Sequence, residues 1–257
     1  MTKPDSEAYT QRRNYFKQLL TIFGRLTVLE ALQDSNIEAV RLHVSSSNKP
    51  AKVLEEIYAL AESRGAEILE HDRLALSRIS KNAKQDQGIA LDIKPKGFSE
   101  FDASSASAGE YIALDRITNP QNLGMIIRSI CASSIAGLIL PRKGCANLDA
   151  LVIKASAGTL FRAPIFRCDN LHKALKDARE YGADIIGLDL TAKSTLSDCS
   201  TPNSSTPSIF VLGNESDGIS KEISQLCTKH ARIPMNNGVE SLNVAVTASL
   251  IALRHQI

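Results

Sequence analysis

Arg128 is the hardest residue to account for as scaffolding. It closes a segment, Asn119-Pro120-Gln121-Asn122-Leu123-Gly124 and on to Arg128, in which a turn leads into a helix. Leu123, Ile126, Ile127, Ile130 and Cys131 make that helix's apolar stripe. At 100° per residue Arg128 lies roughly 130° from the stripe's centre, so its stem is not packed on the core. A solvated arginine and one that meets a substrate fit this pattern equally. Asn122 falls near the helix start, where a short polar side chain caps unpaired N–H groups. A second segment, Leu212-Gly213-Asn214-Glu215-Ser216-Asp217-Gly218, sets Glu215 on a turn whose glycines let backbone approach a ligand. As a mere charge at a helix N-terminus, Glu215 would contribute only roughly 0.3 kcal/mol. A third, Ile233-Pro234-Met235 through Gly238-Val239-Glu240-Ser241-Leu242-Asn243, runs from a strand end through a turn to a last helix. There Ser241 is expected as the N-cap.

Several chemistries are excluded. The Gly213–Gly218 frame has the spacing of a phosphate-binding loop, but Ile219-Ser220 stands where Lys-Ser/Thr is required. No G-x-G-x-x-G fingerprint for a nicotinamide or flavin occurs. The five cysteines, Cys131, Cys145, Cys168, Cys199 and Cys227, are scattered and form no C-x-x-C pair, which argues for free thiols over zinc or disulfides. With 30 Lys and Arg against 28 Asp and Glu, the charge of +2 neither demands nor forbids a nucleic acid. Arg12, Arg13, Lys17 and Arg25 make the N-terminal region the most basic stretch. No apolar run nears the roughly 20 residues that span a bilayer, and the N-terminus lacks a signal peptide's apolar core. A cytoplasmic protein that does not meet the membrane is expected.

The elements that must position these residues follow from periodicity. A hydrophobic content of 43% over 257 residues suffices for one large or two small domains. Val40, Leu42 and Val44 alternate as a strand, Val53, Ile57 and Leu60 recur as a helix, and Ala66 to Leu69 and Gln87 to Ile93 read as strands. Residues 1–96 are thus expected to be a small α/β domain. Residues 97–109, rich in Ser, Ala and Gly, read as a flexible linker. From 110 to 257 strands and helices alternate again. Strands are expected at Tyr111–Asp115, Gly137–Leu140, Ala163–Phe166, Asp184–Leu188 and Ile209–Leu212. A helix over Leu171–Ala178 is stopped by Gly182, and a last one covers Leu242–Leu253. This alternation predicts an α/β fold, a mainly parallel sheet with helices on both faces. Thr191 to Ser208, crowded with Ser, Thr and Pro, reads as a surface loop.

The three segments, in this order between about Tyr111 and the C-terminus, resemble the SpoU-type (TrmH-like) RNA ribose 2′-O-methyltransferases of the SPOUT superfamily. The resemblance implies a C-terminal trefoil knot, an exception to the usual rule against threaded chains. It also implies a homodimer, S-adenosylmethionine as cofactor and no metal. The N-terminal half is similar to the small RNA-binding domain, itself like a large-subunit ribosomal protein, that often precedes this catalytic domain. Carried over residue by residue, the cofactor contacts are Gly213, Ile233 and Leu242, apolar walls and backbone groups suited to a neutral adenine. Arg128 is the catalytic position, with Asn122, Glu215, Ser241 and Asn243 as polar supports.

The cofactor's sulfonium already activates the methyl group, so the protein must align the 2′-oxygen with it and help remove the hydroxyl proton. The family's arginine is proposed as the base, yet a guanidinium with a pKa above ~12 is nearly always protonated. Arg128 is expected instead to orient the substrate and stabilise charge developing on the oxygen. The expected substrate is structured RNA and not DNA, first a guanosine of large-subunit ribosomal RNA and second a transfer RNA. The alternative is a non-catalytic RNA-binding relative, against which the filled polar positions argue.

Overall fold

The computed structural model describes residues 19–35, 37–94, 97–199 and 205–256. Arg12, Arg13 and Lys17 lie outside them. The chain divides into two compact units. One holds the described residues up to Gly97 together with Asp149–Phe161, and the other holds Phe98–Leu148 with the described residues from Arg162 onward. No helix among the described residues is long and apolar enough to cross a membrane.

The first unit runs β1 (Leu20–Phe23), α1 (Arg25–Gln33), β2 (Glu38–Ser45), α2 (Lys52–Ser63), β3 (Glu67–His71), α3 (Arg73–Ser80) and β4 (Ile89–Lys94). Its sheet order is β1-β4-β2-β3, with β4 antiparallel to both neighbours and β3 parallel to β2. Strand alternation splits the sheet chemically. Ile22, Leu42, Val44, Leu91 and Ile93 are buried on one face, as are Val28 and Leu32 of α1 and Leu54 and Ile57 of α2. The other face carries a polar chain. Asp92 accepts hydrogen bonds from Thr21 Oγ1 at 2.6 Å, Arg41 Nη2 at 2.7 Å and His43 Nε2 at 3.1 Å. His43 Nδ1 lies 2.9 Å from His71 Nε2. Burial works to raise the Asp92 carboxyl, but the bonds from His43, Thr21 and Arg41 outweigh it and hold it at about 2.

The second unit begins with β5 (Ser99–Glu100) and β6 (Gly109–Leu114), then α4 (Pro120–Cys131) and β7 (Gly137–Pro141). The excursion Asp149–Phe161, grouped with the first unit, carries α5 (Ala150–Ala155), capped by Asp149. Then follow β8 (Ile165–Cys168), α6 (Leu171–Glu180), β9 (Asp184–Leu188), β10 (Ser194–Thr195), β11 (Pro207–Leu212), α7 (Lys221–Ser224), β12 (Lys229–Arg232) and α8 (Val244–Leu253). The eight strands lie in the order β10-β12-β9-β11-β6-β7-β8-β5, and every pair is parallel. One sheet face, with Tyr111, Ala113, Ile139, Ile185, Ile209 and Val211, packs with Leu171, Leu175 and Ala178 of α6 and Ile223 of α7. The residues that alternate with these, Ile112, Leu138, Ile186 and Phe210 among them, are fully buried as well. α4 packs on α8 and β7. The expected α/β fold with a mainly parallel sheet is therefore present.

Three local expectations are corrected. Residues 97–109 are not a free linker, because Ser99–Glu100 pairs with β8 and Phe101, Ala103 and Ala106 pack on the sheet's core. The Ser-rich composition instead serves Asp102, whose carboxylate accepts from Ser104 and Ser105 in a tight turn. Within Thr191–Ser208, read as a loop throughout, Ser194–Thr195 pairs with β12 and Leu196–Cys199 forms a 3-10 turn held by Asp198 on Thr195. The strand expected from Gln87 starts at Ile89, since Gln87 and Gly88 both take positive φ.

Candidate active site

Because β6, β11 and β12 are parallel members of one sheet, their carboxyl ends open on the same edge. The three polar segments each follow one of those ends. An open parallel sheet binds ligands at this edge.

The first segment starts α4. Asn119, and not Asn122, is the N-cap, its side chain accepting from Gln121 N at 2.8 Å, with Pro120 at the first helical position. That frees Asn122, buried one turn in, for another task. Its amide Nδ2 donates to Glu215 Oε1, and its Oδ1 accepts from Asn243 Nδ2 at 3.1 Å. All three segments are thus joined through one buried amide, which uses its donor and acceptor sides together. Asn243 also caps α8 through Ala245 N at 2.8 Å. Ser241, expected in that role, is exposed and two residues too early.

The second segment is a closed turn. Asn214 and Gly218 exchange backbone bonds of 3.0 and 2.9 Å, and Asn214 Oδ1 accepts from Ser216 N. Gly213 owes its identity to space and not to backbone conformation. A Cβ there would lie 2.1 Å from the Gly218 carbonyl carbon and 2.2 Å from Ile219 N. The approach that the missing side chain permits is therefore by the protein's own turn, where a ligand had been expected.

Two residues that the sequence reading gave no part in the site hold this turn in place. Arg116, at φ 62°, donates through Nη2 to Gly218 O at 3.0 Å, and its own carbonyl accepts from Asn214 Nδ2 at 3.0 Å. Asp115, buried at the end of β6, accepts from Ser220 N at 2.7 Å. Nothing in hydrophobic periodicity marks a left-handed arginine. Asn214, by contrast, was readable as a turn-forming Asx residue.

A cavity of about 330 Å³ opens beside the turn, lined by Gly213, Glu215, Ile233, Ser241 and Leu242 among others. Leu190, Leu212 and Val244 add apolar wall, and Asp189 and Glu240 add carboxylates. No hydrogen bond between described residues uses the backbone of Gly213, Ile233 or Leu242, so these groups remain open to a ligand. The three expected cofactor contacts therefore share one cavity, with Ser241 and Glu215 on its wall. Arg128 is not among its lining residues. It is exposed on α4, and its side chain makes no hydrogen bond or ion pair with another described residue.

The five cysteines are unpaired. Burial pushes the Cys168 and Cys227 thiols up to about 11, which keeps them protonated and unreactive.

Residues 110–253 match the SpoU rRNA Methylase family, and residues 21–99 match the family described as RNA 2′-O ribose methyltransferase substrate binding. An "Uncharacterized tRNA/rRNA methyltransferase" of Mycolicibacterium gilvum is 34% identical over 236 residues, 90% of this chain and 74% of that one. The solved structure of a putative RNA methyltransferase of the TrmH family from Porphyromonas gingivalis is 26% identical. It superimposes with a TM-score of 0.74 and covers 96% of this chain and 91% of that one. AviRb from Streptomyces viridochromogenes, a SpoU methyltransferase solved with AdoMet, shares the fold at 21% identity and a TM-score of 0.74. It covers 98% of this chain and 94% of that one.

Proposed function

Since the chain belongs to the SpoU rRNA methylase family, we propose that it transfers a methyl group from S-adenosylmethionine to a ribose 2′-hydroxyl of structured RNA. The observation that carries the reading is the single cavity that gathers Gly213, Ile233 and Leu242 with their backbone groups unspent. Its volume lies at the lower end of the ~300–1,000 Å³ of small-molecule sites. Apolar side chains beside free N–H and C=O groups suit a flat heterocycle with polar edges. The carboxylates of Asp189, Glu215 and Glu240 suit a ligand that carries positive charge.

When bound, S-adenosylmethionine supplies a methyl group already activated by its sulfonium. The chain's own part is positional. The Glu215–Asn122–Asn243 chain locks three loops into one arrangement, so the cavity wall need not reorganise during reaction. Arg128, whose side chain has no partner among the described residues, is free to hold a phosphate or to stabilise charge developing on the 2′-oxygen.

A homodimer belongs to this reading. α8 is apolar on all sides, and Met125 of α4 with Val246 and Leu250 of α8 stay 47%, 41% and 36% exposed. A helix apolar all round is normally buried all round, and α4 and α8 already pack side by side. A second copy seated on both would complete that burial. Arg128, three residues after Met125 on α4, would then lie beside the seam. The trefoil knot, with the chain's end passed through an earlier loop, is also part of the proposal.

Large-subunit ribosomal RNA, at a guanosine, is the substrate proposed first, with transfer RNA second, because residues 21–99 match a substrate-binding domain ahead of the catalytic one. Mass-spectrometric mapping of ribose methylation in RNA from cells with and without this gene tests it. One 2′-O-methylguanosine of large-subunit RNA should vanish. Loss of a transfer-RNA mark instead would favour the second substrate, and loss of none would remove the reading.

A further inference from the structure

Two helices carry the parts of the site that must meet. α8 supplies Val244 and Thr247 to the cavity wall, and Leu242 of the same wall lies just before it. Arg128 stands on α4 and is not part of that wall. Whatever holds α4 against α8 therefore also sets how far Arg128 stands from a ligand in the cavity.

What these two helices bury is mostly apolar, Ala245, Ala248 and Ala252 on α8 and Ile126 and Ile130 on α4 among them. Apolar attraction has no direction, and a row of alanines gives a neighbouring helix little to lock into. One residue of slip along a helix moves a side chain by about 1.5 Å. A displacement of ~1 Å at a reacting centre can cost roughly 100-fold in rate.

Hydrogen bonds between side chains supply the missing direction. At the helix starts Asn243 Nδ2 donates to Asn122 Oδ1 at 3.1 Å. Further along, Ser129 Oγ and Ser249 Oγ lie 2.7 Å apart. Ser249 Oγ is also 2.7 Å from Ala245 O, and Ser129 Oγ is 3.2 Å from Met125 O. Each hydroxyl has one proton. The two short separations are satisfied together when Ser129 donates to Ser249 and Ser249 donates to Ala245 O. From 122 to 129 and from 243 to 249 the contacts advance together, so the two helices run parallel. Nearly two turns, about 10 Å, separate the contacts along each axis. One contact at the starts would leave the far ends free to splay, whereas two fix register and angle together. Within α8 only Thr247 and Ser249 are polar, and Thr247 lines the cavity. Ser249 is thus the polar side chain that α8 gives to α4, and its partner is the neighbour of Arg128.

We propose that Ser129 and Ser249 are positioning residues for methyl transfer, on the reading that the chain is the methyltransferase inferred above. Their bond pins the far part of the α4–α8 pair and keeps Arg128 in register with the cofactor cavity. Neither serine lines that cavity, so the pair acts through Arg128.

The test uses the full chain, methyl-labelled S-adenosylmethionine and RNA from cells that lack this gene. Ser249→Ala should lower kcat about 10-fold, part of the loss that a full ~1 Å displacement brings. The apparent KM for RNA and the calorimetric affinity for S-adenosylmethionine should each stay within about twofold of the parent. Ser129→Ala should fall about as far, and the double variant no further than the larger single loss, because either change removes the same bond. Ser249→Thr keeps a hydroxyl and should retain at least about a third of the parental kcat. A merely structural role would instead lower cofactor affinity, oligomeric state or folding in step with the rate. That pattern, alanine variants within twofold of the parental kcat, losses that add in the double variant, or no recovery in Ser249→Thr would each overturn the proposal. No transfer by the parent removes the methyltransferase reading and this proposal with it. An active parent with equally active alanine variants removes only the serine pair.

Discussion

Replacing Gly213 with alanine adds one carbon where none fits. The new Cβ would lie 2.1 Å from the Gly218 carbonyl carbon, 2.2 Å from Ile219 N and 2.3 Å from Gly218 O, all backbone atoms that cannot rotate away. Carbon contacts settle near ~3.5 Å, so the turn must retreat by more than ~1 Å. That retreat pulls on the paired Asn214–Gly218 bonds and on the Arg116 bond to Gly218 O. Three bonds at ~1 kcal/mol each put the loss at about 3 kcal/mol. Expressed in cofactor affinity this is roughly 100-fold. Glu215 moves with the turn, so its bond from Asn122 is lost in the same step. Isothermal calorimetry with S-adenosylmethionine reads the affinity, and a thermal melt separates a displaced turn from a misfolded protein. Affinity within twofold of the parent, with an unchanged melt, would refute the close packing on which this reasoning depends.

Four other perturbations probe different links. Asn122→Asp sets a carboxylate against Glu215, so thermal stability should fall by about 1–3 kcal/mol and methyl transfer should drop, whereas Glu215→Gln in the same background should restore part of the stability. Asp92, held at about 2 against an ordinary 3.8, stabilises the fold fully above pH 4 and loses that contribution as pH falls through 2. The unfolded chain takes up the proton first, so urea unfolding should show about 2 kcal/mol lost over this interval, and Asp92→Asn should lack the step. Burial and neighbouring His43 lower His71, so below about pH 6.5 the unfolded state again binds the extra proton and stability declines, a trend His71→Gln should flatten. Val246→Glu with Leu250→Glu should turn a dimer into a monomer in sedimentation at micromolar concentration. A dimer that persists would move the interface away from α4 and α8.

What the sequence disclosed follows the physics of each signal. Apolar periodicity is summed over many residues, so the alternation that makes the parallel sheet and α4, α6 and α8 was legible, and Gly182 was readable as the stop of α6. The gathering of Gly213, Ile233 and Leu242 was legible too, through the order of three turn-rich segments. Caps were not. Asn119 and Asn122 are the same residue type three positions apart, and only the backbone decides which one closes the helix. Ser241 and Asn243 pose the same ambiguity. Edge strands β5 and β10 have two residues each, too short for any period. The role of Arg116 depends on one positive φ, a local conformation that long-range packing imposes and that composition does not announce.

The central claim is that this chain moves a methyl group onto a ribose oxygen and that Arg128 is needed to do it. Recombinant protein, isotopically methyl-labelled S-adenosylmethionine and unmodified ribosomal RNA suffice, with the RNA digested to nucleosides and examined by mass spectrometry. The account predicts the label on the ribose of one nucleoside, no label with Arg128→Ala, and cofactor affinity within a few-fold of the parent in that variant. Label on a base, or full transfer by Arg128→Ala, would contradict it.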